Sequence, residues 1–557
     1  MKNSIFYALI LLTLFCTACY EDKGNYAYQD INEVTIKVNS TYGVMKQDEA
    51  IDYTITPEIV QTTGDDNFSN LKFEWYVNTS SDQQKGEVLS TDPTLTIHID
   101  PAAPNFKTKY YIRFYVTDTS TEAVEMFPIT LEVINPYENA WMVLHDIDNH
   151  AEVGSIEYLG GEMKVTPNAL SRERGEPLKG LSVSLGSRKQ DLYYPSYWGG
   201  LDVQTQFYVN TTNEEESGLI NQADHFLLVA NWSKIIFPED FNGYIPNSVQ
   251  FVDSNTGSAM ISNGKVFQGS GYSYLMFGMY PNEEVKADNA NYYITKAFGM
   301  PHTAIGYDNI GHRFLHLYIQ NNYWSGSSTF DPSTERGNME YIPAAPENAA
   351  DPNNIGSDKE FVDFVGGYWY DKTAMANWQR YGVYAYMFSK EIAKSYIYVF
   401  HAYPMTSSYD ETDNAPVYAL YTINTPNGIT KDTPMTSGKA YNNILFYAVG
   451  NKVYKLDFGV TNGLSTLIYQ HPDSEAEISC LQMAYEGYVG YEDEDKKNET
   501  YGHPYSRCMA VGVNLPDNKG EVIILQLNNA GKIDEDAKYP AIQTHTGFGK
   551  IKDITFI

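Results

Sequence analysis

Lys550–Ile557 (KIKDITFI) is the stretch on which the fold turns. Its spacing, Ile551-x-x-Ile554-x-Phe556, matches Ile478-x-x-Leu481-x-Met483 and Leu178-x-x-Leu181-x-Val183. Each of these reads as a strand that leads into a hairpin, yet Lys550–Ile557 has no hairpin behind it. Trp141–Tyr158, around Asp148-Asn149, is the complementary orphan: a hairpin with no lead strand before it. Pairing the two satisfies two sheet edges that would otherwise stand exposed. Between them further hairpins recur with turn dipeptides at their bends. They are Ala259–Gln268 around Asn263-Gly264, Thr303–Tyr318 around Asn309-Ile310-Gly311, Ile444–Phe458 around Gly450-Asn451, and Met509–Leu527 around Asn518-Lys519-Gly520. Grouping hairpins with lead strands gives units starting near 141, 178, 226, 273, 361, 440 and 478. Four short strands per unit of roughly 40–60 residues predict a β-propeller of about seven blades over 137–557, with the C-terminal strand completing the first blade. A pair of β-sandwiches is the competing arrangement.

Upstream the period is two. Val34, Ile36 and Val38 alternate with polar residues, and Leu71–Val77, Leu95–Ile99, Tyr111–Val116 and Ile129–Val133 repeat the pattern. Turn clusters such as Thr63-Gly64-Asp65-Asp66 and Asp92-Pro93 separate them. Short alternating strands with Trp75 on a middle one predict an Ig/PKD-like sandwich over 33–136, Trp75 plugging its core. The whole chain is thus expected to be all-β.

Residues 1–18 read as a lipoprotein signal peptide. Lys2 precedes the apolar run Ile5–Phe15, and the small residues Thr17 and Ala18 lead into Cys19. That run is shorter than the roughly 20 residues a spanning helix needs. Cys19 is therefore the expected acylated residue, although Cys16 stands where such a motif usually carries Leu. Residues 19–32 form the tether. The chain has 557 residues and a formal net charge of −32. No basic footprint is present to displace counterions from phosphates, so nucleic acid is excluded as a partner. An anionic membrane surface would repel the body too, leaving attachment to the lipid. Cys480 and Cys508 are either two buried, inert sulfurs or one disulfide.

No catalytic constellation is specific. His312-x-x-x-His316 lacks the Glu of a zinc helix and lies in a strand-like stretch. In His145–His150 (HDIDNH) the acids of a hairpin turn more often serve the backbone than a metal, so neither metal nor cofactor is expected. Glu492–Asp495 reads as a solvated loop. A carboxylate pair for glycan hydrolysis is compatible with the 70 acidic residues. Aromatic clusters fall in Gly-rich, loop-like places: Tyr197 and Trp198 before Gly199-Gly200, Tyr323 and Trp324 before Ser325-Gly326, and Trp369 with Trp378 after Gly366-Gly367. Flat rings on loops stack on sugars or grip peptide side chains, which makes these the candidate ligand contacts.

CYEDKGNYAYQDINEVTI at 19–36 resembles the start of PKD-like family lipoproteins encoded beside SusC/SusD-type outer-membrane importers, and the likeness continues to GFGKIKDITFI at 547–557. The resemblance implies an outer-membrane lipoprotein, anchored through Cys19 and facing the cell exterior. It would be a non-catalytic accessory to a TonB-dependent importer, binding oligopeptide or glycan or docking on the transporter. A propeller hydrolase and a purely structural surface scaffold are the alternatives.

Overall fold

The computed structural model describes residues 32–557 except 46–49, 66, 81–82, 101–102, 104–106, 108, 135–136, 138–139, 160–161, 191–203, 222–225, 233–247, 253–256, 263, 271–276, 280–291, 301–302, 319–338, 343–350, 369–380, 402–416, 439–440, 485–506 and 538–539. It divides into two units: Met1–Pro136 with Leu159–Gly161, and Tyr137–Tyr158 with Glu162–Ile557. Both are built of strands. Among the described residues no helix is long and apolar enough to cross a membrane.

The first unit holds β1 (Val34–Lys37), β2 (Thr41–Met45), β3 (Ile51–Ile55), β4 (Glu58–Gln61), β5 (Leu71–Asn78), β6 (Glu87–Ser90), β7 (Leu95–Ile99), β8 (Lys109–Asp118) and β9 (Val124–Ile134). A five-stranded sheet, β2-β9-β8-β5-β6, faces the ribbons β1-β4 and β3-β7. Alternate residues of each strand point inward, as the period of two requires. Leu71, Phe73 and Trp75 of β5 meet Ile112, Phe114 and Val116 of β8 and Leu95, Ile97 and Ile99 of β7 in one core. Trp75 is fully buried, stacks on Phe114 at 3.9 Å and donates its indole N–H to the Asp92 carbonyl. It is the core plug that its strand position suggests. Asp118 ends β8 as a polar knot: one oxygen accepts from Ser120 and Thr121, the other from the Asn32 and Asn70 amides. The Ser120 and Asn32 side chains hold its carboxyl well below the ordinary carboxylate range.

In the second unit, seven four-stranded antiparallel sheets are seen among the described residues. The first contains β10 (Ala140–Ile147), β11 (His150–Leu159) and β12 (Glu162–Thr166), and the short helix α1 (Ala169–Arg174) follows it. The second contains β13 (Ser182–Gln190), β14 (Gln204–Thr211), β15 (Gly218–Asn221) and β16 (Leu227–Asn231). The third contains β17 (Ser248–Val252), β18 (Gly257–Ser262), β19 (Lys265–Ser270) and β20 (Phe277–Met279). In the fourth are β21 (Ile294–Met300), β22 (Thr303–Asp308), β23 (Arg313–Tyr318) and β24 (Met339–Tyr341). The fifth holds β25 (Lys359–Tyr368), β26 (Tyr381–Ser389), β27 (Lys394–His401) and β28 (Val417–Asn424). The sixth holds β29 (Met435–Thr436), β30 (Ile444–Val449), β31 (Lys452–Asp457) and β32 (Leu464–Gln470). The seventh holds β33 (Glu477–Met483), β34 (Cys508–Asn514), β35 (Gly520–Gln526) and β36 (Ile542–Phe548).

The last strand, β37 (Lys550–Ile557 without its final residue, Lys550–Phe556), returns to the first sheet and pairs antiparallel with β10, Trp141 opposite Phe556 and Asp146 opposite Lys550. The two orphans of the sequence therefore meet. All five hairpins read from turn dipeptides are the central pairs of their sheets. Two lead strands depart from the reading, and a third lies outside the described residues. Leu178 bridges Ala151 and Leu181 is exposed, so β13 begins only at Ser182. The start near 226 falls on β16, the last strand of its sheet, and that near 273 falls among residues outside the described ones, ahead of β21. These segments are weakly patterned, and period alone does not separate an edge strand from a lead strand.

First strands touch in cyclic succession: β37 lies against β13, then β17, β21, β25, β29 and β33, and β33 lies against β37. Among the described residues, apolar cores join six of the seven successive sheet pairs, all but the second and third. One joins Trp141, Val143, Ile554 and Ile551 to Ala510, Val522 and Ile524, thereby packing the first sheet on the seventh.

Candidate functional site

The first strands carry an unusual regularity. In five of the seven sheets the first strand has one residue more than its partner at a β-bulge, after Ser182, Ile294, Phe361, Ile478 and Ile551. A bulge re-aims the side chain beside it and frees a backbone group from the ladder. Two positions beyond each of those residues stand Ser184, Lys296, Asp363, Cys480 and Asp553. All five are polar or sulfur-bearing.

Two of them solve the same backbone problem identically. Asp363 accepts the N–H of Phe364, and Asp553 accepts the N–H of Ile554, each at 2.9 Å. Their second oxygens reach a neighbouring sheet. Asp363 takes the Lys296 ammonium of β21 at 2.9 Å, while Asp553 takes the Leu185 N–H of β13 at 3.0 Å. Burial pushes the Asp553 carboxyl up to about 6, only partly offset by those two N–H groups. Cys480 sits opposite Gly512, where a Cβ would stand 2.5 Å from its sulfur, so only glycine fits that rung. Burial, and next the charge of Asp553, push the Cys480 thiol up to about 12.

No disulfide joins Cys480 to Cys508. Cys480 pairs with Gly512, and Cys508 lies four positions along β34 from it. At about 3.4 Å per residue that offset is roughly 14 Å, beyond the reach of a bridge. Cys508 instead donates to the Gln526 side chain, and burial lifts its thiol to about 12. Of the two alternatives for this pair, the bridge is corrected and the buried sulfurs remain.

His145 is committed to the backbone. Gly549 donates its N–H to His145 Nδ1 at 2.9 Å, so the ring proton is on Nε2, which donates to the Pro167 carbonyl at 2.8 Å. Burial lowers the pKa of this ring and favours its neutral form. Asp146 accepts the Ser182 N–H on the other side of β10, and Asp148 and Asn149 adopt positive φ in the turn. The HDIDNH residues thus diverge, and among the described residues no group of three or more His, Cys, Asp or Glu could hold a metal. His312 lies in a turn and His316 on β23, so the two do not share a helical face.

Tyr197, Trp198, Tyr323, Trp324, Trp369 and Trp378 lie outside the described residues, as do Cys19 and Glu492–Asp495. The rungs that bracket them are described. Gln190 pairs with Gln204, Leu317 with Met339, Tyr368 with Tyr381, and Met483 with Met509. Every one of these crossings joins a first strand to a second, or a third to a fourth. Because strands alternate in direction, such crossings occur at one end of each sheet, whereas the second-to-third turns occupy the other. The bulges were missed by sequence reasoning. Their signal, an apolar triad broken by one polar residue, was present at Phe361-x-x-Phe364 and Ile294-x-x-Ala297 but was tied to no position on the ladder.

Comparison with solved structures gives distant likenesses only. A Quinonprotein alcohol dehydrogenase-like protein from Bacteroides thetaiotaomicron is 10% identical over 93% of this chain and 96% of its own, with a TM-score of 0.41. Dihydro-heme d1 dehydrogenase NirN in complex with DHE is 10% identical over 82% of this chain and 77% of its own, with a TM-score of 0.34. No curated protein matches the chain. Residues 19–181 match the PKD-like family, a match that starts at Cys19, takes in the whole sandwich and ends just before β13.

Proposed function

We propose that the second unit is a seven-bladed β-propeller closed by β37, and that the chain is a non-catalytic, surface-exposed outer-membrane lipoprotein anchored through Cys19. In this reading it serves a SusC/SusD-type importer as an accessory subunit that binds oligopeptide or glycan or docks on the transporter. The observation that carries the binding role is the position of the bracketing rungs. The described rungs that bracket the three aromatic segments all stand at the same end of their sheets, opposite the second-to-third turns. Aromatic-bearing segments inserted at one end of a strand scaffold suit the capture of a flat or extended ligand. The lipoprotein role draws support from the 1–19 leader pattern and from a family match that begins at Cys19.

The test is a pull-down from solubilised outer membranes through a tagged C-terminus, combined with binding assays on oligopeptides and glycans. The accessory role predicts recovery of an importer pair, and affinity without turnover that weakens in Trp198→Ala, Trp324→Ala or Trp369→Ala. Isolation without companions, together with cleavage of a polymer, would turn the reading to a hydrolase. Companions without any ligand would leave a scaffold.

A further inference from the structure

The outward face of the sandwich carries a second feature with ligand chemistry. On β5 and β8, residues that alternate with the core point away from it: Lys72, Glu74 and Tyr76 beside Arg113 and Tyr115. The rings of Tyr76 and Tyr115 meet edge to face with centroids 5.5 Å apart, which makes a corner. Into that corner projects Lys85, from the segment leading into β6. Its ammonium lies 5.0 Å from the Tyr76 centroid, 4.7 Å from the Tyr115 centroid and 3.7 Å from a Glu74 oxygen.

Two aromatic faces and one carboxylate around an ammonium form the arrangement that recognises cations. Burial opposes the charge on Lys85, but Tyr76 and Glu74 outweigh it and raise its pKa above the ordinary value. The Lys85 side chain nevertheless keeps 52% of its exposure, and Glu74 shares its charge with Lys72 at 2.9 Å. An exposed cation–π contact and a screened ion pair together hold such a side chain by only about a factor of ten. Lys85 is therefore a weak plug in a well-formed corner.

We propose that Tyr76, Tyr115 and Glu74 form a binding site for a lysine side chain of a partner protein, which Lys85 occupies in the unbound chain and yields on binding. The cis occupant defines the ligand: a primary ammonium on an unbranched stem. The chain's net charge of −32 favours the approach of a basic partner. The site belongs to the sandwich and does not rest on the role proposed for the seven sheets.

The test uses the full chain and a blocked tripeptide, acetyl-Gly-Lys-Gly-amide, with its Nε-acetyl-lysine counterpart as the neutral control. Saturation-transfer NMR on the peptides reads binding. Lys85→Ala should bind the lysine peptide about tenfold more tightly than the parent and ignore the acetylated one, and adding Tyr115→Ala should erase the gain. Lys85→Gln, which keeps most of the stem and removes the charge, covers the case in which the alanine variant loosens the sandwich, and should show the same ordering. The proposal is overturned if neither Lys85 variant gains affinity, if the acetylated peptide binds equally, or if the gain survives loss of Tyr115.

Discussion

The two units bury their strands differently. In the sandwich, β7 alternates strictly, with Leu95, Ile97 and Ile99 inside and Thr96 and His98 in solvent. In the seven-sheet unit, β10 is buried continuously from Ala140 to His145, and β34 from Cys508 to Val513. A strand with one wet face writes its register into every second residue, whereas a strand packed on both faces becomes a plain apolar run. What fixes register in the second case is something else: the tight turn at one end, and the bulge with its polar residue at the other.

That contrast can be broken most forcefully at β37. Deleting Lys550–Ile557 removes the buried side chains of Ile551, Ile554 and Ile557 and bares β10. At about 2 kcal/mol for each buried side chain, the second unit should lose roughly 6 kcal/mol while the sandwich is untouched. Unit-resolved hydrogen exchange checks this. Trp75→Ala is the reciprocal experiment, expected to cost the sandwich about 3–5 kcal/mol in urea unfolding and to leave β10–β37 protection unchanged. His145→Ala strands the Gly549 N–H and the Pro167 carbonyl, and should destabilise only the second unit, by about 2 kcal/mol in the same measurement.

Acid separates the units by sign. Asp553 has a folded pKa raised to about 6, so its contribution is fully present below the unfolded carboxylate range and is lost as pH rises from about 4 through 6. His145, shifted downward, opposes this trend by losing its contribution as pH falls below the ordinary histidine range. The slope should change in Asp553→Asn by about 1–2 kcal/mol across that window, read from urea midpoints. Asp118 behaves in the opposite sense to Asp553. Its contribution persists above the ordinary carboxylate range and fades only as pH falls below it, so Asp118→Asn should flatten the acid limb of the sandwich alone. The smallest effect is expected at sulfur: Cys480 and Cys508, both lifted to about 12, should stay unreactive to a thiol reagent at pH 8 until the second unit unfolds.

How much the sequence disclosed follows the same division. Trp75, the alternating strands and the pairing of Trp141 with the C-terminal strand were legible because each rests on a local period or a turn dipeptide. The lead strand near 178 was misplaced by four residues because Leu178 and Leu181 mimic the apolar triad while serving a bridge and a turn. The start near 226 fell on an edge strand, because edge and lead strands carry similar composition. For the candidate site, sequence identified the aromatic segments but not that their bracketing rungs share one end of the sheets, since that follows from strand order alone. The Lys85 corner was invisible, because Tyr76 and Tyr115 are brought together by pairing across 39 positions, Tyr76 opposite Arg113 and Glu74 opposite Tyr115.

The bond between Gly549 and His145 joins positions 404 residues apart. On a ribosome adding roughly 5–20 residues per second, β10 waits on the order of 20–80 s before its partner exists. During that interval the half-made molecule keeps an open apolar edge, and any product that stops short of its final eight residues keeps it for good. The pairing of β37 with β10 thus joins the two ends of the second unit only after every sheet between them has been synthesised.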